Sequence, residues 1–256
     1  MTDPGALQIV LLVVLGLLAG AVNAIAGGGS LIVFPVLLAT GLPPLPANVT
    51  NSVAQWPGYA GSTLSARTDL GGQRRRIAIT TIPAVFGAAL GCALLLVLPQ
   101  SVFDAIVPVL VLLASLTLGL QPWIKRWTSR DGESEAGRER PVALGVVTFV
   151  AAVYGGYFGG ALGVVLIAVL SLLCADSMRR LNAVKVLLSL VVASVTVVLF
   201  GIFAPVDWFA VLLLAPSTLI GGYLGMAVAQ KMPDNVLRFS VVVLGIAVAI
   251  YLFVKG

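Results

Sequence analysis

The chain has 256 residues, of which 59% are hydrophobic and only 10% are charged, and its mean hydropathy is +1.09. A soluble domain of this length could not cover its surface with so few charged side chains, so the composition indicates a polytopic membrane protein in a lipid bilayer. The net charge of +5 does not indicate nucleic-acid binding, because basic residues beside membrane segments normally report the orientation of the chain.

Glycine, proline and charged residues divide the chain into ten apolar segments. A helix needs about 20 residues to cross a bilayer, so the short second and seventh segments are predicted to be broken or re-entrant helices. The first segment has the core of a signal peptide, but Asp3 and the lack of a basic start indicate a membrane helix. In chain order the segments are residues 6–26, 29–40, 49–66, 77–98, 101–121, 141–158, 161–174, 178–203, 208–230 and 236–255.

The basic residues divide the loops between two sides. One set of loops, with the adjoining helix ends, holds 14 of the 15 Lys and Arg, and positive loops favour the cytoplasm. Both termini are therefore predicted outside, with residues 122–140 as a charged cytoplasmic linker between a first repeat (1–121) and a second repeat (141–256). The basic loops are residues 67–76, 122–140, 175–180 and 231–235.

Each half contains a pair of segments linked by a glycine-rich joint, followed by three longer helices. The first joint is "AGGGS", with Gly27, Gly28 and Gly29, and the second is "GGYFGGALG", with Gly159 and Gly160. Because five is odd, the second half must be inserted upside down relative to the first. The predicted fold is an all-α polytopic membrane protein with an inverted 5+5 repeat. Transporters with such repeats bind their substrates near the midplane of the bilayer.

Glycines outside the joints are predicted to pack helices together. The sequence shows no feature typical of an enzyme. Histidine is absent, no carboxylate lies in the middle of an apolar segment, and the two cysteines lack metal-ligand spacing. We therefore expect no catalysis, no metal and no other cofactor. The glycine pairs with small-xxx-small spacing are Gly16/Gly20, Gly87/Gly91 and Gly221/Gly225.

The stretch "NVTNSVAQWPGY" is polar for a membrane segment. It places Asn48, Thr50, Asn51 and Gln55 over two helical turns, and helix N-terminal amides near Asn48 would add a positive dipole end suited to an anion. Simple capping by Asn48 is the alternative, but it does not explain Gln55. Secondary candidates in and around this region and the joints are Asn23, Ser30, Trp56, Tyr59 and Tyr157.

Aligning the two halves places Asn48 over Asn182 and Asn51 over Lys185. Lys185 lies inside an apolar segment and is followed by a long uncharged run. Intramembrane ionisable residues usually face a cavity and mark a pathway, so Lys185 indicates an anionic substrate. The alternative is that Lys185 snorkels to the cytoplasmic interface.

Two stretches carry a resemblance to a known family. "AGAVNAIAGGGSLIVFPVLLATGLPPLPANVTNSVAQWPGY" and "GGYFGGALGVVLIAVLSLLCADSMRRLNAVKVLLSLV" resemble the two repeat motifs of the TauE/SafE family of sulfite and organosulfonate exporters. The similarity covers nearly the whole chain. It implies a secondary carrier for a small organic or inorganic sulfur-containing anion, such as sulfite or sulfoacetate, in a bacterial inner membrane.

The residues and the resemblance together predict an anion exporter that works by alternating access. The anion would lie between Lys185 and Asn182 of one half and Asn48, Asn51 and Gln55 of the other. An anion channel or an uptake carrier for sulfur oxyanions is one alternative, and a non-transporting membrane scaffold is another. The sequence leaves a homo-oligomer open.

Overall fold

The computed structural model describes residues 6–130, 140–228 and 250, and the tenth predicted segment lies outside this part of the chain except for Ile250. The described residues form α-helices and one short 3₁₀ helix (Arg67–Leu70), with no strand among them. The α-helices are α1 (Ala6–Ile25), α2 (Ser30–Ala39), α3 (Pro44–Ser65), α4 (Arg74–Val97), α5 (Gln100–Arg130), α6 (Pro141–Tyr157), α7 (Leu162–Leu173), α8 (Met178–Phe203) and α9 (Trp208–Val228).

The second and seventh predicted segments form the short helices α2 and α7. α2 has 10 residues and α7 has 12, which gives lengths of about 15 and 18 Å. Each follows a joint that breaks the helical backbone, with φ of +86° at Gly27 and +76° at Gly159. Glycine adopts this left-handed conformation without the Cβ penalty of other residues, so the joints end α1 and α6 where the sequence predicts.

Two predicted boundaries are wrong. α3 begins at Pro44 instead of residue 49, because proline suits the first turn of a helix. Asn48 therefore lies inside α3, and the free N-terminal amides predicted around it lie one turn earlier. α5 continues to Arg130 instead of residue 121, so the first part of the predicted linker, residues 122–130, is helical.

Three helix pairs pack so closely that their backbones touch: α1 with α9, α3 with α9, and α4 with α6. A Cβ added to Gly20 would lie 2.3 Å from the Thr218 carbonyl oxygen, and one added to Gly91 would lie 2.1 Å from the Val153 oxygen. Small residues allow this approach in membrane helices. The predicted packing role of all three small-residue pairs is confirmed, since Gly16, Gly20, Gly87, Gly91, Gly221 and Gly225 all face a neighbouring helix at contact distance.

The exterior of the bundle is apolar. Large side chains such as Phe86, Leu212 and Val97 are exposed, which suits contact with lipid better than with water. In the described part of the chain, α4, α8 and α9 are long and apolar enough to cross a membrane by length and composition.

Candidate functional site

A polar cavity lies between the middle of α3 and the middle of α8. Its volume is about 20 Å³, and both joints contribute to its wall, the first through Ser30 and the second through Gly159. The wall residues that the structure describes carry no formal charge. Its polar side chains are Ser30, Ser52, Gln55, Tyr59, Ser189 and Thr196.

Gln55 is held at the cavity by hydrogen bonds from α1. Asn23 Nδ2 donates to Gln55 Oε1 at 2.8 Å, and Asn23 Oδ1 accepts from the backbone N–H of Gly29 at 2.7 Å. The Gln55 amide then reaches Asn51 Oδ1 only at 3.5 Å, the outer limit for a hydrogen bond. The first joint therefore fixes the oxygen of Gln55, while its Nε2 group makes a weak contact that a ligand can replace.

The sequence analysis missed several wall residues, and Ser189 is the most informative of them. Its side chain is buried, and its hydroxyl has no hydrogen-bond partner among the described residues. Ser52 and Thr196 differ, because their hydroxyls donate to carbonyl oxygens within their own helices. The signal in the sequence is spacing: Ser189 lies one helical turn after Lys185, on the same face of α8. Ser189 thus lines the cavity with a buried hydroxyl that has no partner of its own.

Lys185 is buried with only 1% of its surface exposed, so it does not snorkel to an interface. Its ammonium donates to the carbonyl oxygens of Asn23 at 3.0 Å and Ala24 at 3.1 Å. These carbonyls lie at the end of α1, where the last turn of a helix lacks internal partners and carries partial negative charge. Lys185 stabilises this broken helix end and stands one turn from the cavity wall.

Asn182 and Asn48 make contacts of the same form in opposite halves. Asn182 Nδ2 donates to the carbonyl oxygen of Ala24 at 3.2 Å, at the end of α1. Asn48 Nδ2 donates to the carbonyl oxygen of Tyr157 at 3.0 Å, at the end of α6. Each asparagine thus binds the end of the helix that precedes the other half's joint, and neither lines the cavity.

The structure brings only part of the predicted set together in the wall: Ser30, Gln55, Tyr59 and Gly159. Thr50 instead accepts a hydrogen bond from the Asp207 amide at the start of α9, and Trp56 donates to Ser194 of α8, each at 2.9 Å. Gly27 packs directly against Gly163, so the joints cross. The predicted residues outside the wall are Asn23, Gly27, Gly28, Gly29, Asn48, Thr50, Asn51, Trp56, Tyr157, Gly160, Asn182 and Lys185.

A cluster of ion pairs joins the loops at one end of the bundle. Asp176 accepts hydrogen bonds from Arg76 at 2.9 Å and Arg180 at 3.1 Å, and Asp69 pairs with Arg179 at 2.9 Å. Burial favours the neutral form of Asp176, but the hydrogen bonds from the two arginines outweigh this effect and lower its pKa below the usual value. The cluster ties the loop after α3 to the start of α8.

The helices and their apolar exterior define an all-α membrane protein. The chain belongs to the sulfite exporter TauE/SafE family, whose family model matches residues 12–252. It is 28% identical over 247 residues to the probable membrane transporter protein ORF9 of Sinorhizobium sp, covering 94% of this chain and 90% of that protein. It is 27% identical over 237 residues to the probable membrane transporter protein YfcA of Escherichia coli K12, covering 89% and 82%. No solved structure matches the chain significantly.

Proposed function

We propose that the chain is a secondary transporter that exports a small sulfur-containing anion, such as sulfite or an organosulfonate, by alternating access. The observation that carries the proposal is the cavity, whose wall combines both broken-helix joints with neutral hydrogen-bond donors of α3 and α8. Neutral donors without carboxylates suit an anion. The family name and the relatives' names as probable membrane transporters support the same function.

An inverted 5+5 repeat, residues 1–121 and 141–256, is part of this proposal. Its support is the equivalence of the Asn48–Tyr157 and Asn182–Ala24 contacts, which join aligned asparagines to the ends of aligned helices. A second equivalence is that α1 packs along α9 while α6 packs along α4. We place the termini outside and the linker in the cytoplasm, following the distribution of basic loops.

Substrate binding requires the cavity to expand. A volume of about 20 Å³ accommodates about one water molecule, and a sulfite or sulfonate group is larger, so α3 and α8 must separate to admit it. Gln55 and Ser189 would then donate to the anion. Lys185 would supply positive charge by turning from the α1 carbonyls toward the opened site.

The electrical gradient provides a driving force for export. An inside-negative potential favours anion efflux by about 2.3 kcal/mol per charge per 100 mV. This direction needs no carboxylate to carry protons.

Flux measurements on purified protein in liposomes test the proposal. Vesicles loaded with sulfite or sulfoacetate, under a potential imposed by a potassium gradient and valinomycin, should show saturable flux that empty liposomes lack, with chloride as the comparison anion. In a parallel measurement in detergent, the melting temperature should rise when the transported anion is added, because a ligand that binds only the folded state stabilises it.

Absence of both flux and melting shift for sulfite, sulfoacetate and thiosulfate would refute the proposed function. Flux that rises linearly with concentration, without saturation, would show a channel instead of a carrier. Flux that occurs only inward under either polarity would show an uptake carrier.

A further inference from the structure

We propose that the two sequence halves are not the units that move during transport. The moving units are two groups of helices, and each group contains helices from both halves. The first body is α1, α2, α3, α5 and α9, and the second body is α4, α6, α7 and α8. This inference rests on the proposed function, since it describes how the cavity between α3 and α8 opens.

The two larger clusters of buried apolar side chains mainly follow this division, while a small third cluster of Ala66, Ala183 and Val186 joins the end of α3 to α8. The second core draws its helical members only from α4, α6, α7 and α8, with residues such as Ala84, Leu144, Leu166 and Leu188. The first core is built mainly from α1, α2, α3, α5 and α9. The first core also includes six buried residues of the second body and its joint, which are Cys92, Leu95, Phe158, Ala161, Val164 and Phe200.

Apart from the crossing of the joints at Gly27 and Gly163, the close backbone contacts between helices lie inside the bodies. The three closest seams, α1–α9, α3–α9 and α4–α6, each cross between the sequence halves. In the first body, a Cβ on Gly61 of α3 would lie 2.6 Å from the Leu219 oxygen of α9. In the second, a Cβ on Gly87 of α4 would lie 2.4 Å from the Phe149 oxygen of α6. Rocking residues 1–121 against 141–256 would separate both of these seams.

The hydrogen bonds described between the two bodies are of another kind. They run from polar side chains: Asn48 to the end of α6, Asn182 and Lys185 to the end of α1, Asn182 also to the sulfur of Met226, and Trp56 to Ser194. The cavity lies in this same interface, between α3 of the first body and α8 of the second.

The backbone seams inside the bodies and the polar side-chain contacts between them differ in how easily they open. A dry seam of backbone atoms has no replacement partners when it opens, so its dispersion contacts are lost outright. A polar side chain that leaves a helix end can bind water or substrate instead. Closely packed groups therefore shift as rigid units, and sliding takes place at the interface that holds these polar contacts and the cavity.

Cysteine cross-links distinguish the two modes of movement. In a background with Cys92 and Cys174 replaced by Ala, Gly87→Cys with Ala152→Cys joins α4 to α6 across the sequence halves. A Cβ at residue 87 would lie 2.9 Å from that of Ala152, so a small separation admits a disulfide. The matched pair Trp56→Cys with Ser194→Cys joins the two bodies through a short, reducible bifunctional thiol reagent.

The oxidised α4–α6 pair should transport sulfite at the rate of the same protein after reduction. The linked α3–α8 pair should lose transport and regain it on reduction. Loss of transport by the α4–α6 disulfide that reduction restores would overturn the inference. No transport by the cysteine-free protein, when wild type also fails, would refute the proposed function and not the division into bodies.

Spin-label distances test the division without transport. Val97→Cys with Val142→Cys labels exposed positions of α4 and α6, and Leu64→Cys with Val198→Cys labels exposed positions of α3 and α8. Pulsed EPR on labelled protein in liposomes and in detergent, with and without sulfite, should give one fixed α4–α6 distance and an α3–α8 distance that varies. A varying α4–α6 distance beside a fixed α3–α8 distance would overturn the inference, as would two fixed distances.

Discussion

Replacing Ser189 with Ala should weaken anion binding while leaving the folded protein as stable or more stable. The hydroxyl of Ser189 is buried in the cavity wall without a partner, and an unsatisfied buried polar group destabilises a fold by about 1–3 kcal/mol. Its removal should therefore raise the melting temperature. The effect on substrate has the opposite sign, because the variant cannot donate to the anion.

The magnitude follows from the charge of the acceptor. A hydrogen bond to a charged group contributes about 1.5–3 kcal/mol, which corresponds to a roughly ten- to hundredfold increase in the KM for sulfite. Flux in liposomes over a range of sulfite concentrations measures the KM, and a thermal melt of the same preparation measures stability.

Thr148→Val is the matched control. Thr148 of α6 is also buried with an unpartnered hydroxyl, but it does not line the cavity. Its removal should raise the melting temperature to a similar extent without changing the KM. An unchanged KM in Ser189→Ala, or an equal change in both variants, would refute the assignment of Ser189 to the substrate site.

Three further substitutions test the seam, the ion pairs and the helix end. Gly91→Ala places a Cβ 2.1 Å from a carbonyl oxygen of α6, so it should lower the free energy of unfolding by about 1–3 kcal/mol. Gly71→Ala introduces only an ordinary contact and should leave the melting temperature unchanged. Equal melting temperatures for the two variants would contradict the packing. The folded pKa of Asp176 lies below its usual 3.8, so its carboxylate stabilises the fold above pH 3.8 and this contribution disappears as the pH falls through the folded pKa. Asp176→Asn should therefore melt lower than wild type at neutral pH and approach it in acid, and a pH-independent difference would contradict this. Lys185→Met leaves two helix-end carbonyls without their ammonium donor, which should lower the melting temperature and abolish stabilisation by sulfite; retained sulfite stabilisation would show that Lys185 serves the helix end alone.

The sequence by itself determined the class of protein, the family and the order of the described helices, and it placed most of their ends to within a few residues. These properties depend on local composition: hydropathy along the chain marks the apolar segments, and consecutive glycines weaken a helix wherever they occur. The joints at Gly27 and Gly159 and the packing face of Gly87 and Gly91 follow from the same local rules. The start of α3 was harder to place, because the prolines before Asn48 suit both a loop and a first helical turn.

The site was only partly predictable, because its key partners are backbone atoms. Pattern alone predicted Gln55, which lies in the cavity wall, and paired Asn48 with Asn182. It could not show that these asparagines bind the ends of α6 and α1. Every residue has a carbonyl group, so no sequence signal marks those acceptors. Ser189 escaped notice because a serine in an apolar helix usually bonds its own backbone.

Only the tertiary structure decided which helices share a core. Gly87 carries the same local signal whether its partner is a helix of its own half or α6 of the other half, because small residues permit close approach without choosing the neighbour. That choice depends on how surfaces far apart in the chain fit together. The fit here places α4 with α6 and α1 with α9, and it leaves the polar faces of α3 and α8 to meet around the cavity.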